Sequence, residues 1–305
     1  MSRSRSTAVV PGNHDGVHAG HRALIAAARL RADALGLDVV AMTFDPHPLA
    51  VLAPERAPLP ITTLARRTEL LREAGCDDVH VARFDAAYAA QSPEHWVDQN
   101  LVEQLSARVV VVGSDFQFGA KRAGNVARLR ELGTSRGFEV VEVGPVLLGE
   151  RVSSTRIRDA LRTGDVATAT SMLGRVHEVD GTVVTGHRRG RTIGFPTANL
   201  DCDRVLMPAD GVYAVIARVL DRPGILRGVA NLGTRPTFAA GRSVEAHLFD
   251  FDGDLYGARL RVGFVARLRG EQKFDGVDAL RAQIARDADT ARSLLEREDP
   301  TWHAI

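Results

Sequence analysis

The stretch Val109-Val110-Val111-Val112 is apolar at every position. Side chains alternate faces along a strand, so such a run fits a sheet covered on both sides, the situation of a parallel sheet flanked by helices. The surrounding chain has the period this requires. Short runs rich in β-branched residues at 7–10, 38–44, 78–84 and 139–143 alternate with helical spacing at 21–35, 64–74 and 93–105. The last of these opens on Ser92-Pro93, an N-cap residue followed by proline at the first helical position. Residues 1–174 are therefore expected to form a doubly wound α/β domain of Rossmann-like type.

Beyond this point the pattern changes. Short alternating runs at 181–185, 211–219, 228–232, 244–250 and 260–267 are separated by Gly, Pro and Asp turns. Leu280, Ile284, Ala288 and Leu294 or Leu295 then give the apolar stripe of one closing helix. Residues 175–305 read as a small antiparallel β-barrel with a C-terminal helix. A formal charge of +1 over 305 residues gives no global pull toward nucleic acid or anionic membrane. No apolar stretch approaches a membrane span, and the opening Met-Ser-Arg-Ser-Arg-Ser lacks a secretory core. A cytoplasmic protein is expected, with no nucleic-acid or membrane partner and with its oligomeric state open. Cys76 and Cys202 have neither disulfide nor zinc spacing.

Polar segments follow four strands of the first half. Gly12-Asn13-His14-Asp15-Gly16-Val17-His18-Ala19-Gly20-His21 leads into the first helix, so His18 and His21 sit at or near its N-terminus, where free N–H groups favour anions. A glycine-rich turn with two solvated histidines fits the same residues. The others are Asp45-Pro46-His47-Pro48, Gly113 to Gly119, and Ser153-Ser154-Thr155-Arg156-Ile157-Arg158. Ligands bind at the carboxyl ends of strands in open parallel sheets, so all four loops should share one edge. Asp115 could accept from a ribose or an adenine amino group. The Ser/Thr/Arg segment suits a triphosphate, or an ordinary N-cap with exposed arginines. In the second half, spaced glycines at 186, 190 and 194 let the backbone approach phosphates. Thr197 and Asn199 there offer neutral oxygens suited to magnesium. A basic β-turn is the rival reading.

These motifs together resemble the bifunctional riboflavin kinase/FMN adenylyltransferase family, the bacterial FAD synthetases. His18-Ala19-Gly20-His21 meets the His-x-Gly-His signature of nucleotidyltransferases, and Ser153 to Arg158 meets the family's Ser-Ser-Thr-x-x-Arg element. Pro196-Thr197-Ala198-Asn199 resembles the riboflavin kinase signature, followed in family order by Asn231 to Phe238, Val244 to Leu248 and Leu255-Tyr256-Gly257. The family usually has an aromatic, commonly Phe, where this chain has His14.

The resemblance implies a nucleotidyltransferase domain in residues 1–174 and a riboflavin kinase domain in 175–305. It implies phosphorylation of riboflavin to FMN by magnesium ATP, then adenylylation of FMN to FAD with release of pyrophosphate. Glu245 would be the general base of the first step. His18, His21, Arg156 and Arg158 would stabilise charge in the second, with Gly12, Asn13, Ser153, Ser154 and Thr155 on ATP phosphates and Asp115 near the adenosine. Gly186, Gly190 and Gly194 would contact the kinase ATP, Thr197 and Asn199 the metal, and Phe44, His47 and Pro48 the flavin. Arg269, Glu271, Lys273 and Phe274 also follow the family pattern. The alternatives are a monofunctional riboflavin kinase with an impaired nucleotidyltransferase domain, or a non-catalytic flavin- or nucleotide-binding protein.

Overall fold

Five parallel strands, β1 (Thr7–Pro11), β2 (Asp38–Asp45), β3 (Asp78–Arg83), β4 (Ala107–Gly113) and β5 (Glu139–Val143), form one sheet in the order β3-β2-β1-β4-β5. The computed structural model describes residues 6–185, 194–234 and 242–296. They fall into two compact units, 1–153 and 154–305.

The four valines of β4 are fully buried. Val109 and Val111 meet Ile25, Ala28 and Ala32 of α1 (Ala19–Leu35) and Leu70 and Leu71 of α2 (Leu64–Glu73). Val110 and Val112 face the opposite layer, with Trp96, Leu101, and Leu129 and Leu132 of α3 (Val126–Arg136). Each valine contributes about 1.5–3 kcal/mol by leaving water, and the alternation ties both helical layers to one strand. Helix α1 stops at Gly36, whose φ of 66° lets its N–H reach the Ala32 carbonyl. Ser92 Oγ accepts from the His95 N–H at 3.2 Å, as the sequence predicts, and the helix begun by Pro93 passes into a π-helical stretch, Val97–Gln104.

In the second unit, α4 (Ser154–Thr163) and α5 (Val166–Leu173) precede six antiparallel strands. These are β6 (His177–Val184), β7 (Ala198–Cys202), β8 (Gly211–Val219), β9 (Leu226–Thr234), β10 (Arg242–Leu248) and β11 (Arg259–Arg269). They close into a barrel in the order β6-β7-β10-β9-β8-β11, with β11 paired back onto β6. Tyr213 and Phe264 fill its interior edge to face at 5.5 Å. The closing helix α6 (Val277–Leu295) packs Ala288, Ala291 and Leu295 with Val176, Ile216 and Phe249.

Helices α4 and α5 group with the barrel, since the end of α4 is bonded to it: Ala209 N–H donates to Leu161 O, and Arg267 donates to Thr163 O. Two details differ from the pattern in the sequence. Strand β6 starts at His177, earlier than 181, because His177, Glu178 and Asp180 are buried polar residues that break the apolar pattern. Asp180 is paired across the strands with Arg261 through two bonds of 2.7 and 2.9 Å. Strand β7 is not among the runs expected from sequence, because it is only five residues long and carries Asn199 and Asp201, residue types uncommon in strands.

His177 is 1% exposed, and its Nε2–H donates to Leu206 O at 2.8 Å. Burial pushes its pKa down from 6.5 to about 4. The unfolded chain therefore takes up this proton first as pH falls. The stability this group confers is complete above pH 6.5 and is lost progressively toward pH 4. Between pH 7 and pH 5 the loss should be about 2 kcal/mol, measured by urea denaturation at the two pH values. His177→Gln should flatten that dependence, and an unchanged slope would refute the assignment.

Candidate functional site

The loop between β1 and α1 gathers three imidazoles. His18 caps α1 through its backbone, its carbonyl accepting from the Arg22 N–H at 3.1 Å, and its ring stacks on His21 at 3.7 Å with 18° between planes. His14 meets His21 edge on at 5.1 Å. Its Nε2 lies 2.9 Å from Val10 O, a group that can only accept, so Nε2 carries the proton and Nδ1 is an acceptor. Two glycines make room for the rings. A Cβ at Gly12 would stand 3.0 Å from His14 Cε1, and one at Gly20 would stand 3.0 Å from His18 Cε1. His14 and Val17 adopt φ of 50° and 41°, strained for L side chains.

Neighbouring elements hold the strained loop. The Asp15 carboxylate accepts the Ile61 N–H at 3.0 and 3.1 Å and the Thr62 N–H at 3.3 Å. Thr43 Oγ1 donates to Asn13 O at 3.0 Å, and Arg67 Nη1 donates to the same carbonyl at 2.9 Å. Arg67, 6% exposed, thus places a buried cation beneath the imidazoles. Sequence reading missed it, because an arginine on an amphipathic helix looks like a solvated residue. Asn13 Oδ1, His14 Nδ1, His21 Nδ1 and Arg67 Nε are buried without a hydrogen-bond partner among the described residues, a state that a polar ligand relieves.

Burial takes the His14 pKa down to about 4, with Arg67 adding to the fall and the Val10 bond opposing it. Burial also holds His21 well below its ordinary value, assisted by the charges of His18, His14, Arg22 and Arg67. Neither ring is charged at neutral pH. A polyanion reverses the electrostatic part of this balance and draws protons onto the rings. Helix α1 adds the partial positive charge of its N-terminus.

Other expected residues of the first unit have structural partners. Asp115 is exposed and paired with Arg151 at 2.6 Å. Phe44 packs edge to face with Phe84 and Tyr88, at 5.7 and 5.8 Å. His47 caps the short helix Pro48–Leu52, its Nδ1 accepting from the Leu49 N–H. Ser153 precedes α4, and Ser154, Thr155, Arg156 and Arg158 form its first turns, with Arg158 buried.

In the second unit, register brings polar residues together. Glu245 on β10 pairs with Asn199 on β7 and with Asn231 on β9, so the three side chains share one face. A cavity of about 640 Å³ opens on that face, lined by Glu245, Asn231, Thr197, His247, Lys273 and Phe274 among others. Arg269, at its edge, is ion-paired with Asp287 at 2.9 Å and lies 5.6 Å from the Phe274 ring centroid. A second cavity, of about 410 Å³, is lined by Val183, Pro196, Ala198, Leu248, Asp252 and Tyr256, and again by Thr197. Among the described residues, Thr197 is the one common to both linings. Gly194 has φ of 87° and sits beside this segment. Gly186 and Gly190 lie outside the described residues.

Thr197 and Asn199, the latter 9% exposed, give two neutral oxygens, the donor chemistry of a hard cation that brings phosphate and water ligands of its own. Among the described residues no cluster of three His, Cys, Asp or Glu could hold a metal unaided. No helix there is long and apolar enough to cross a membrane.

A parallel sheet with an anion-ready loop at a helix N-terminus, followed by a six-stranded barrel carrying a carboxylate at the edge of a cavity, defines a tandem of nucleotide-handling enzyme domains. The FAD synthetase family model matches residues 1–156 and the riboflavin kinase model matches residues 173–295. The Bifunctional riboflavin kinase/FMN adenylyltransferase of Escherichia coli K12 is 41% identical over 95% of this chain and 93% of its own length. Those of Haemophilus influenzae and Bacillus subtilis are 39% and 37% identical, over 94% and 92% of this chain and 94% and 90% of their own. A crystal structure from Streptococcus pneumoniae, described as a macrolide-efflux protein, superposes with a TM-score of 0.86 at 35% identity, covering 94% of each chain. The chain belongs to the bifunctional riboflavin kinase/FMN adenylyltransferase family.

Because His14 and His21 are neutral in the free protein, tripolyphosphate binding near pH 6 should take up protons, read by calorimetry in buffers of different ionisation enthalpy. Gly20→Ala, which crowds His18, should weaken that binding about tenfold.

Proposed function

We infer that this chain is an enzyme that converts riboflavin to FMN and FMN to FAD, using ATP in both steps. The observation that carries the reading is the tandem match: both family halves lie in order on one chain that aligns over 95% of its length with bifunctional relatives. Residues 175–305 are assigned the kinase step and residues 1–174 the adenylyl transfer, so α4 and α5 serve the adenylyl transfer although they pack with the barrel. The protein is assigned to the cytoplasm, with small molecules as its partners.

In the kinase step the 5′-hydroxyl oxygen of riboflavin attacks the γ-phosphorus of ATP. The bond from that phosphorus to the β-bridging oxygen breaks, and ADP leaves. Riboflavin occupies the 640 Å³ cavity and ATP the 410 Å³ cavity, so the transferred group crosses at Thr197. Glu245, on the flavin side, accepts the hydroxyl proton. Asn231, beside it in register, orients the hydroxyl. Thr197 and Asn199 hold magnesium, and the glycines at 186, 190 and 194 give the phosphates close backbone approach. Magnesium, when bound with ATP, neutralises phosphate charge and aligns the γ-phosphoryl group.

In the second step a phosphate oxygen of FMN attacks the α-phosphorus of ATP, and pyrophosphate departs. No protein nucleophile is required. His18 and His21 donate to the phosphate oxygens as their charge grows, with Gly12 and Asn13 lining the loop. Arg156 and Arg158, with Ser153, Ser154 and Thr155, are assigned to the same triphosphate, Asp115 to the adenosine, and Phe44, His47 and Pro48 to the flavin. His14 meets His21 edge on at 5.1 Å, a contact that an aromatic ring also makes, which argues for a working loop despite the replaced aromatic.

A time course of flavins separated by chromatography, starting from riboflavin and magnesium ATP, tests the whole reading: FMN should appear first and FAD follow. Glu245→Ala should slow FMN formation at least about 100-fold and leave conversion of supplied FMN to FAD within about twofold. His21→Ala and Arg67→Met should do the reverse, with losses of about 100-fold and 10-fold. Equal loss of both activities in either set would sink the division of labour. FMN accumulation without FAD in the unmodified protein would identify a kinase alone.

A further inference from the structure

Thr197 has to be held still, since it separates the two cavities, yet the backbone ladder does not reach it. Pairing between β7 and β10 runs from Leu200–Val244 through Asn199–Glu245 to Ala198–Ala246 and stops. The next residue before Thr197 is Pro196, which has no N–H to extend the ladder. At this break the His247 ring takes over. Its Nδ1 lies 2.8 Å from Pro196 O, and since a carbonyl only accepts, Nδ1 carries the proton and donates. The ring is wedged edge to face between Phe195, at 5.4 Å, and Phe249, at 5.8 Å. Phe249 is fixed in turn by the Arg292 guanidinium over its face at 4.2 Å. His247 lies two residues beyond Glu245 on the same strand, hence on the same face, and lines the same cavity.

We propose that His247 is a positioning residue for the kinase step: its Nδ1–H clamps the Pro196 carbonyl to the strand that carries Glu245, and so fixes Thr197 relative to the base. The clamp ties this segment to the neighbouring strand through a side chain at the point where the main-chain ladder ends. It joins the segment assigned to magnesium and phosphate with the strand assigned to proton removal. The kinetic part of this inference rests on the proposed riboflavin kinase reading; the clamp itself does not.

Two variants separate the hydrogen bond from the bulk of the ring. His247→Phe keeps an aromatic ring between Phe195 and Phe249 and loses the donor. His247→Asn keeps a donor near the position of Nδ1. Amide hydrogen exchange of the peptide covering 195–200, read by mass spectrometry on the full chain, should quicken about fivefold in His247→Phe and stay within twofold of the unmodified protein in His247→Asn. Steady-state kinetics should show the KM for magnesium ATP in FMN formation raised about fivefold in His247→Phe, largely restored in His247→Asn, with conversion of FMN to FAD unchanged in both. Unaltered exchange in His247→Phe, or equal effects of Phe and Asn, would overturn the clamp. Altered exchange with an unmodified protein that forms no FMN would overturn the kinase reading and leave the clamp standing.

Discussion

A strand that must be dry on both faces sets the plan of the first unit. Because β4 turns Val109 and Val111 one way and Val110 and Val112 the other, helices have to cover each side, and parallel connections supply them. The loop before α1 then emerges at the carboxyl end of β1 with a helix N-terminus directly behind it. The three imidazoles, the two glycines that admit them and the bonds from Thr43, Asp15 and Arg67 are all arranged around that exit. Without the two-sided burial of the central strand, no rigid edge would exist on which to hold a strained loop.

The loop itself stores unfavourable features, some of which a polar ligand relieves. Positive φ at His14 and Val17, neutral imidazoles and buried polar atoms without partners cost stability in the free protein. Cooperative packing elsewhere in the sheet supports them. This is preorganisation in a physical sense: donors and ring planes are set before the ligand arrives, so that less ordering remains to be done on binding.

Periodicity made the architecture legible. The apolar run of β4, the Ser92-Pro93 helix start and the change from helical to alternating pattern near residue 175 each carry a local physical cause that survives without tertiary context. Polar burial was not legible. His177, Glu178 and Asp180 look like loop residues until Arg261 is seen opposite Asp180, and β7 looks like a motif because Asn199 is buried by register rather than by its own chemistry. His18 and His21 stood out through motif spacing, and Glu245 through the family resemblance alone. Arg67 and His247 did not, since each acts on a backbone carbonyl distant in sequence, and a bond of that kind leaves no pattern in the chain.

The position of Thr197 at the overlap of two cavity linings has a consequence for traffic. On the proposed reading, the phosphoryl donor and its acceptor are held in separate cavities that meet at Thr197, so that only the γ-phosphoryl group and the 5′-hydroxyl come into contact there. Spent nucleotide and new flavin phosphate then leave by different doors, and neither must wait for the other. With both cavities filled, bulk water is kept from the acceptor's position, which favours transfer over wasteful hydrolysis.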